Sequence, residues 1–388
     1  MKILLLAPHP FYRDSRISIA LKTVLAALAA EGHQPTCLIY PQGEAADVSG
    51  CRILRVPRLR LPGFSWKRSL YGRRMAKMAD RLLALEHFDL LLGFAGGVRL
   101  ARRLSKRHTV PYSLYFDHNE QRGAEVLAPS SPLRRWREKK DITAASGVLV
   151  ADELLRTRVE QLSDATIVER LAPVSLYEDD GARGGKNRKT NLGKARGTVT
   201  LVYADHRLDQ DSGMDLLLEA FSLACLDRRK LRLIVIGGSR SEISHYRGKA
   251  KQLGIAGSVK FIGNRSAADL PAYLDQADII LLPATAGAIL PYELATFLDS
   301  GRPIIATRIE MHTRVLDDST AMLVQPTDSE LAGAIHQLIR NEQLKTELSS
   351  QAKNKAAREY SPAACHRSLR SFFQQLHQRL VSSGRPVP

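Results

Sequence analysis

The segment spanning residues 277–308 constrains the fold more than any other part of the chain. It begins with a short, β-branched apolar run at residues 279–282, which predicts a buried parallel strand. A loop of small residues follows, and residues 291–298 predict a helix with a proline in its first turn. Ser300-Gly301 ends this helix, and residues 304–306 predict the next buried strand. Such a βαβ unit can bind a phosphate at the amino end of its helix, but any α/β protein contains similar units.

Apolar strand-like runs alternate with helix-like segments in both halves of the chain, which predicts an α/β fold with two Rossmann-like domains. The predicted strands are residues 2–7, 36–40, 89–92, 112–116, 147–151 and 166–173, then 198–203, 231–236, 259–262, 279–282 and 304–306. Between the halves, residues 177–197 lose all periodicity and are rich in Gly, Lys and Arg, which is typical of a linker. The first strand is not followed by a GxGxxG run, so a dinucleotide cofactor is not expected.

The composition indicates a globular protein with anionic partners. Its 388 residues are 44% hydrophobic and 25% charged, but the net charge of +17 implies phosphates, nucleic acid or an anionic membrane face. The four cysteines, Cys37, Cys51, Cys225 and Cys365, form no CxxC pair, which argues against a zinc site and predicts a reducing cytoplasm. The first apolar run is too short for a signal peptide, and no run approaches the roughly 20 residues of a membrane span.

Residues 51–110 are strongly basic, with 15 Lys and Arg against Asp80, Glu86 and Asp89. Trp66, Tyr71 and further apolar residues lie among these cations at helical spacing, which favours contact with an anionic bilayer. The residues expected to make this contact are Trp66, Lys67, Arg68, Tyr71, Arg73 and Arg74. The alternative is a helix that faces the core and has a solvated basic back. Residues 132–140 form a second basic run, for which a solvated face is the default interpretation.

Three stretches carry a resemblance to a known family: PHPFY at residues 8–12, LPYELATFLDSGRPIIAT at 290–307 and MHTRVLDDSTAMLVQPTD at 311–328. They resemble bacterial glycosyltransferases of family 4, proteins of cell-surface polysaccharide synthesis with the GT-B fold. The resemblance implies two Rossmann-like domains that face a central cleft. The N-terminal acceptor-side domain would be residues 1–176, with the helix at 362–382 packing back on it. The linker would be 177–197, and the C-terminal nucleotide-sugar domain 198–361.

The resemblance also implies an activity. It is the transfer of a sugar, with retention of configuration, from a nucleoside-diphosphate sugar to a membrane-associated, lipid-linked or polysaccharide acceptor. The family requires neither a metal nor a cofactor beyond the donor, and no Asp-x-Asp stands at a suitable strand end here. The leaving diphosphate must then be stabilised by N–H groups and cations. The expected location is the cytoplasm, on the inner face of the plasma membrane as a peripheral protein.

The candidate site residues follow predicted strands. Those expected to bind the donor are Arg207, Gly213, Gly237, Asn264, Arg265, Gly287, Glu293 and Thr296. His118 falls where the resembled family has a catalytic-cleft histidine, and it is the candidate catalytic residue. Those expected on the acceptor side are His9, Phe11, Arg13, Asp117 and Glu120. For residues 8–14 a rigid turn is an equal alternative, and a lone histidine is most often structural.

The sequence departs from the resembled family at its most informative positions. The family's pair of glutamates falls on Ala288 and Thr296, and its phosphate-facing lysines fall on Glu293 and Ser212. These losses motivate an alternative function, a catalytically degenerate GT-B protein that binds a nucleotide or a partner without transfer. Charge alone could also indicate nucleic-acid binding, but no recognition motif supports it, so no nucleic-acid partner is predicted.

Overall fold

The computed structural model describes residues 1–12, 16–45, 47–58, 65–117, 132–163, 166–178, 197–226, 230–287 and 293–382. The chain divides into two compact units. The first unit comprises Met1–Pro173 and the chain from Pro362 onward, and the second comprises Val174–Ser361. Each unit is a parallel sheet covered by helices.

The first unit contains seven described strands in one parallel sheet, in the order β3-β2-β1-β4-β5-β6-β7. The strands are β1 (Lys2–Leu6), β2 (Gln34–Ile39), β3 (Arg52–Arg55), β4 (Leu90–Phe94), β5 (Tyr112–Phe116), β6 (Gly147–Val150) and β7 (Ile167–Arg170). The helices are α1 (Arg16–Ala30), α2 (Ser65–Leu85), α3 (Val98–His108), α4 (Pro132–Thr143) and α5 (Glu153–Leu162). Strands β1 and β4 are buried on both faces, which is why their sequences are continuous apolar runs rather than alternating ones.

The second unit contains six described strands in one parallel sheet, in the order β10-β9-β8-β11-β12-β13. They are β8 (Thr198–Ala204), β9 (Lys230–Ile236), β10 (Val259–Gly263), β11 (Ile279–Leu282), β12 (Ile304–Thr307) and β13 (Met322–Val324). The helices are α6 (Met214–Ala224), α7 (Arg240–Gln252), α8 (Leu270–Leu274), α9 (Leu294–Asp299), α10 (Glu310–Thr313), α11 (Asp328–Arg340) and α12 (Glu342–Glu359). The strand order reverses between β8 and β11, and in open α/β sheets ligands bind beside the carboxyl ends of such strands.

The last helix, α13 (Pro362–Ser382), is part of the first unit. Its Arg370 donates to both carboxylate oxygens of Glu31, at 2.9 and 3.0 Å. Phe372 is fully buried, and a Cβ at Gly147 would lie 2.7 Å from its ring. Glycine at 147 therefore lets α13 lie directly against the sheet.

Helix α2 corrects one sequence prediction. Tyr71, which was expected to contact a membrane, is buried in the core of the first unit, and so are Met75 and Leu82 of the same helix. Tyr71 is only 4% exposed, and its ring lies 5.6 Å from that of Tyr40. The prediction that Tyr71 contacts a membrane is therefore wrong, because this apolar face covers the sheet. Arg73 and Arg74 lie on the exposed back of the helix, and the side chains of Trp66, Lys67 and Arg68 lie outside the described part of the structure.

Candidate functional site

The loops that follow β8, β9 and β10 in the second unit surround a pocket that is open to solvent. Its lining includes Asp205 and His206 after β8, Gly237 after β9, and Asn264 and Arg265 after β10. Glu293, immediately before α9, also lines it. Because parallel strands end at one edge of the sheet, residues far apart in sequence meet here. Of the predicted donor-binding residues, this pocket brings together Gly237, Asn264, Arg265 and Glu293.

Gly237 is required by the close approach of two loops. Its φ is +119°, and a Cβ atom at this position would lie 1.6 Å from the carbonyl oxygen of Asp205. The backbone N–H of Gly237 donates to the carbonyl of Gly263 at 3.0 Å, and that of Gly238 donates to the carbonyl of His206 at 3.2 Å. Backbone contacts thus join the three loops. Because Gly237 and Gly238 carry no side chains, a ligand can approach the main chain closely here.

Arg265 supplies a positive charge at the edge of this pocket. Its Nε donates to the hydroxyl of the buried Tyr273 at 3.2 Å, and Nη1 lies 3.4 Å from the carbonyl of Asn264. These contacts orient the guanidinium, while the residue as a whole stays exposed. An oriented guanidinium with unused N–H groups suits a phosphate, because its fork of donors matches two phosphate oxygens.

The loop between β8 and α6 lacks the phosphate-facing lysine that the family resemblance implies. Ser212 occupies that position and closes a turn instead, since its Oγ donates to the carbonyl of Asp209 at 2.7 Å and accepts from Asp209 N–H at 2.9 Å. Arg207 is 73% exposed and pairs with Asp209 at 3.1 Å. A Cβ at Gly213 would lie 1.9 Å from the carbonyl oxygen of Pro283, so this glycine joins two loops. Neither Arg207 nor Gly213 lines the pocket.

The segment that predicted a phosphate-binding helix differs in part from expectation. The helix begins at Leu294 rather than at residue 291, and residues 288–292 lie outside the described part of the chain. Gly287 precedes that gap, with a φ of +124°. Thr296 is 1% exposed, and its Oγ1 accepts a hydrogen bond from Leu176 N–H at 3.1 Å. Its hydroxyl therefore holds a backbone segment within the second unit, and its role in donor binding stays a prediction.

A buried network that the sequence did not reveal supports the loop after β11. The Thr307 hydroxyl donates to the carbonyl of Ala284 at 2.5 Å. His312 Nδ1 lies 2.9 Å from the Thr307 carbonyl, which makes Nδ1 the protonated nitrogen. Burial lowers the pKa of His312, and the hydrogen bond to Thr307 opposes that shift. His312 Nε2 has no hydrogen-bond partner within the described part of the chain. The run from Met311 carried a resemblance in the sequence, but nothing there indicated that its histidine is buried.

Three of the acceptor-side candidates, His9, Phe11 and Asp117, are described in the first unit, where they follow the carboxyl ends of β1 and β5. Phe11 is 6% exposed and forms an isolated parallel bridge with Gly43. The carbonyl of His9 accepts from Tyr40 N–H at 2.9 Å, so the loop after β1 is held against the loop after β2. This arrangement agrees with the rigid-turn interpretation of residues 8–12. Asp117 directly follows β5.

Three of the predicted residues, Arg13, His118 and Glu120, lie outside the described residues, so their roles remain predictions. Within the described ranges, no group of three His, Cys, Asp or Glu side chains could hold a metal ion. No described helix is long and apolar enough to cross a membrane.

Comparison with known families gives a match in the second unit. Residues 199–341 match the model described as "Glycosyl transferases group 1". A D-inositol 3-phosphate glycosyltransferase of Corynebacterium diphtheriae is 25% identical over 246 residues, which cover 61% of this chain but only 56% of that protein. A phosphatidyl-myo-inositol mannosyltransferase of Mycobacterium tuberculosis is 22% identical over an alignment that covers 100% of this chain and 99% of that protein.

Solved structures match over nearly the whole chain. A sucrose-phosphate synthase from Thermosynechococcus elongatus superposes with a TM-score of 0.72 at 17% identity, covering 97% of this chain and 99% of its own. Anabaena HepE in complex with UDP superposes with a TM-score of 0.71 at 15% identity, covering 96% and 100%. The chain has the GT-B fold. The resemblance to bacterial GT-B glycosyltransferases that the motifs carried is thereby confirmed.

In this GT-B chain the matched family segment contains both loops of the β8–β11 reversal and every described residue of the pocket lining. The pocket and the family match therefore coincide in the second unit. The alignments to the first curated relatives span 56% and 63% of their lengths.

Proposed function

We propose that this protein is a glycosyltransferase that moves a sugar from a nucleoside-diphosphate sugar to a membrane-associated or polysaccharide acceptor. The observation that carries the proposal is the pocket formed by Gly237, Asn264, Arg265 and Glu293 at the carboxyl edge of the second sheet. Crystal structures of HepE, which has the same fold, contain UDP, UDP with glucose, and UDP-glucose, which supports a nucleotide-sugar as the ligand class. The mycobacterial relative is named for a lipid acceptor, phosphatidyl-myo-inositol, which supports the acceptor class.

Two groups in the pocket are suited to different parts of such a donor. The oriented guanidinium of Arg265 is the described cation that lines the pocket, and it would bind diphosphate oxygens. The carboxylate of Glu293 would accept hydrogen bonds from the ribose hydroxyls. Thr296, where the resembled family has a carboxylate, is buried and structural, and Glu293 stands one helical turn earlier. We therefore assign ribose recognition to Glu293.

The proposed chemistry uses neither a metal ion nor a cofactor, and it retains the configuration of the sugar. As the leaving diphosphate develops charge, backbone N–H groups around Gly287 together with Arg265 would stabilise it. His118, which follows β5 in the first unit, would contact the transferring sugar or orient the acceptor. The location proposed is the cytoplasmic face of the membrane, where a lipid-linked acceptor would be found.

A second candidate is a GT-B protein that binds nucleotide without transfer. Two observations favour it: Ser212 closes a turn where a phosphate-binding lysine is expected, and Thr296 is buried. Turnover distinguishes the two candidates. If the chain is a transferase, nucleotide-sugars will be consumed slowly without acceptor and rapidly with cell-envelope lipids, and His118→Ala will lower the rate by about 10²–10⁴-fold. Nucleotide binding with no consumption of any donor under either condition would support the non-catalytic candidate.

A further inference from the structure

The surface between α3 and α4 of the first unit is a basic pocket with an exposed tryptophan. It is an open depression, and its lining is Arg99, Arg102, Arg103, Lys106, Trp136, Arg137, Lys140 and Asp141. Six cationic side chains against one carboxylate give this lining a net charge of +5. We call it the α3–α4 basic pocket.

Most of this positive charge forms no ion pair with the described residues. The single carboxylate, Asp141, is 6% exposed and accepts from Arg102 Nη1 at 2.6 Å. Arg99, Arg103, Lys106, Arg137 and Lys140 are exposed, and none of them pairs with a carboxylate in the described part of the chain. Neighbouring cations behave differently, because Arg107 pairs with Asp80 at 2.9 Å and Arg158 with Glu138 at 2.7 Å. The five remaining cations are therefore available to an external anion.

Helix geometry explains why these cations converge. Arg99, Arg103 and Lys106 are spaced i, i+4 and i+7 on α3, which places them on one face. Arg137 and Lys140 are spaced i and i+3 on α4. The partly buried Arg102–Asp141 ion pair joins the two helices, so the two rows lie on either side of one depression.

Trp136 adds an apolar element to the centre of this charge. It is 57% exposed, and Lys140 Nζ lies 4.6 Å from its ring centroid. A tryptophan ring beside a cation suits the headgroup region of a bilayer. The apolar part of the ring can face the lipid tails there, while its N–H and the cation face water and phosphate. A surface meant only for solubility would gain nothing from exposing this ring.

We propose that the α3–α4 basic pocket is a docking site for the phosphate headgroups of an anionic phospholipid bilayer. The cations would bind lipid phosphates, and Trp136 would insert at the level of the headgroups. On α2, by contrast, Tyr71, Met75 and Leu82 are buried in the core of the first unit. The inference deepens the membrane part of the proposed function. Nucleotide binding is measured on the same variants. A variant that binds nucleotide but not vesicles contradicts only the membrane inference, and a parent that binds no nucleotide contradicts the proposed function.

The two tryptophans of the chain, Trp66 and Trp136, allow a direct test. A Trp66→Phe variant leaves Trp136 as the only indole, and its emission is followed as phosphatidylcholine vesicles, with or without phosphatidylglycerol, are added. The expected result is a blue shift with phosphatidylglycerol only, reversed by added salt as the screening length shortens. The reciprocal Trp136→Phe variant should show no such shift. An unchanged Trp136 emission, or a shift seen only for Trp66, would overturn the proposal.

Vesicle flotation tests the cations with a charge-matched control. At about 1 kcal/mol per cation, the triple variant Arg103→Gln, Arg137→Gln, Lys140→Gln should bind phosphatidylglycerol vesicles about 100-fold more weakly than the parent. The control variant Arg240→Gln, Arg247→Gln, Lys251→Gln removes the same charge from exposed positions around α7 and should float like the parent. Both variants should keep the parent melting temperature and nucleotide affinity. Equal losses in both triple variants would show a general charge effect, and binding of RNA without binding of vesicles would assign the pocket to another polyanion. Either result overturns the proposal.

Discussion

His312 Nδ1 lies 3.1 Å from Thr307 Oγ1 and 2.9 Å from the Thr307 carbonyl oxygen, and both residues are fully buried. The same Thr307 hydroxyl donates to the carbonyl of Ala284, in the loop that follows β11. The histidine thus acts on that loop through the threonine. This chain of hydrogen bonds fixes one wall of the region in which a diphosphate is proposed to bind, so its disruption has consequences for stability and for binding.

Replacement of Thr307 by valine should destabilise the second unit. The substitution keeps the shape but removes the hydroxyl, so the Ala284 carbonyl loses its donor at an expected loss of about 1–3 kcal/mol in the free energy of unfolding. Thr307→Ser retains the hydroxyl and should lose about 1 kcal/mol or less, the contribution of one buried methyl group. Denaturant unfolding of both variants measures the difference. A valine variant as stable as the serine variant would show that the hydrogen bond contributes nothing.

His312 should make stability depend on pH. Burial holds its pKa below the ordinary value of 6.5, so the unfolded chain binds the proton more readily than the folded chain does. Stability from the neutral ring is present above pH 6.5 and is lost as the pH falls below it. Burial lowers the pKa of His33 in the first unit as well, so His312→Gln should reduce the slope of melting temperature against pH without abolishing it. Replacement of the exposed His245 by glutamine serves as the control and should leave the slope unchanged.

Gly237→Ala should disrupt the proposed donor pocket. The new Cβ would stand 1.6 Å from the Asp205 carbonyl oxygen at a φ of +119°, so two loops must separate. Nucleotide binding would require the loops to return to their present positions, and the backbone strain of about 1–3 kcal/mol then corresponds to an about 5- to 150-fold loss of affinity. Gly257→Ala, where the added Cβ meets nothing within 4 Å, is the matched control. Isothermal titration calorimetry measures the nucleotide affinity of both variants. Equal affinities would show that Gly237 does not belong to the nucleotide site.

If Glu293 binds the ribose, removing the 2′-hydroxyl of the nucleotide and replacing Glu293 should have non-additive effects on nucleotide affinity. Parent protein should bind a 2′-deoxy nucleoside diphosphate about tenfold more weakly than the ribonucleotide, because a hydrogen bond to a charged group contributes about 1.5–3 kcal/mol. Glu293→Ala, which removes the acceptor, should bind both nucleotides with similar affinity. If the variant discriminates between them as well as the parent does, the carboxylate does not meet the ribose. If the variant binds ribonucleotides more tightly, Glu293 repels phosphate instead.

The sequence predicted the parts of the fold that continuous apolar runs determine. Strands such as β5 and β11 were predicted at their observed bounds, because both faces of each are buried and the period of the pattern is unambiguous. Strand β3 was missed: it is an edge strand, Arg52–Arg55, that begins and ends with arginine and so reads as part of a basic segment. Pro291 indicated the start of helix α9; it lies outside the described residues, and the structure shows this helix from Leu294 to Asp299.

The candidate site was harder to predict from the sequence, because a run of cations or apolar residues does not show which part of the folded protein, or which ligand, it contacts. Trp66, Tyr71 and Met75 have the spacing of either a membrane face or a core face, and only the tertiary structure shows that Tyr71 and Met75 face the sheet. The α3–α4 basic pocket required two helices to come together, and its halves were separate basic runs in the sequence. Thr296 could be aligned with a family carboxylate, but its hydrogen bond to Leu176 depends on a chain segment 120 residues away.

The second unit is proposed to bind the nucleotide of a sugar donor, and calorimetric titration of the 388-residue chain with UDP, GDP and ADP measures that binding. One of these nucleotides should bind with a measurable dissociation constant, and Arg265→Gln should weaken that binding about tenfold or more, as expected when a charge-assisted hydrogen bond to phosphate is lost. The melting temperature of the variant should match the parent, because the exposed guanidinium makes only peripheral contacts. If none of the three nucleotides binds to the folded parent, the second unit is not a nucleotide site. If the Arg265→Gln variant binds with the same affinity as the parent, Arg265 does not contact the phosphates.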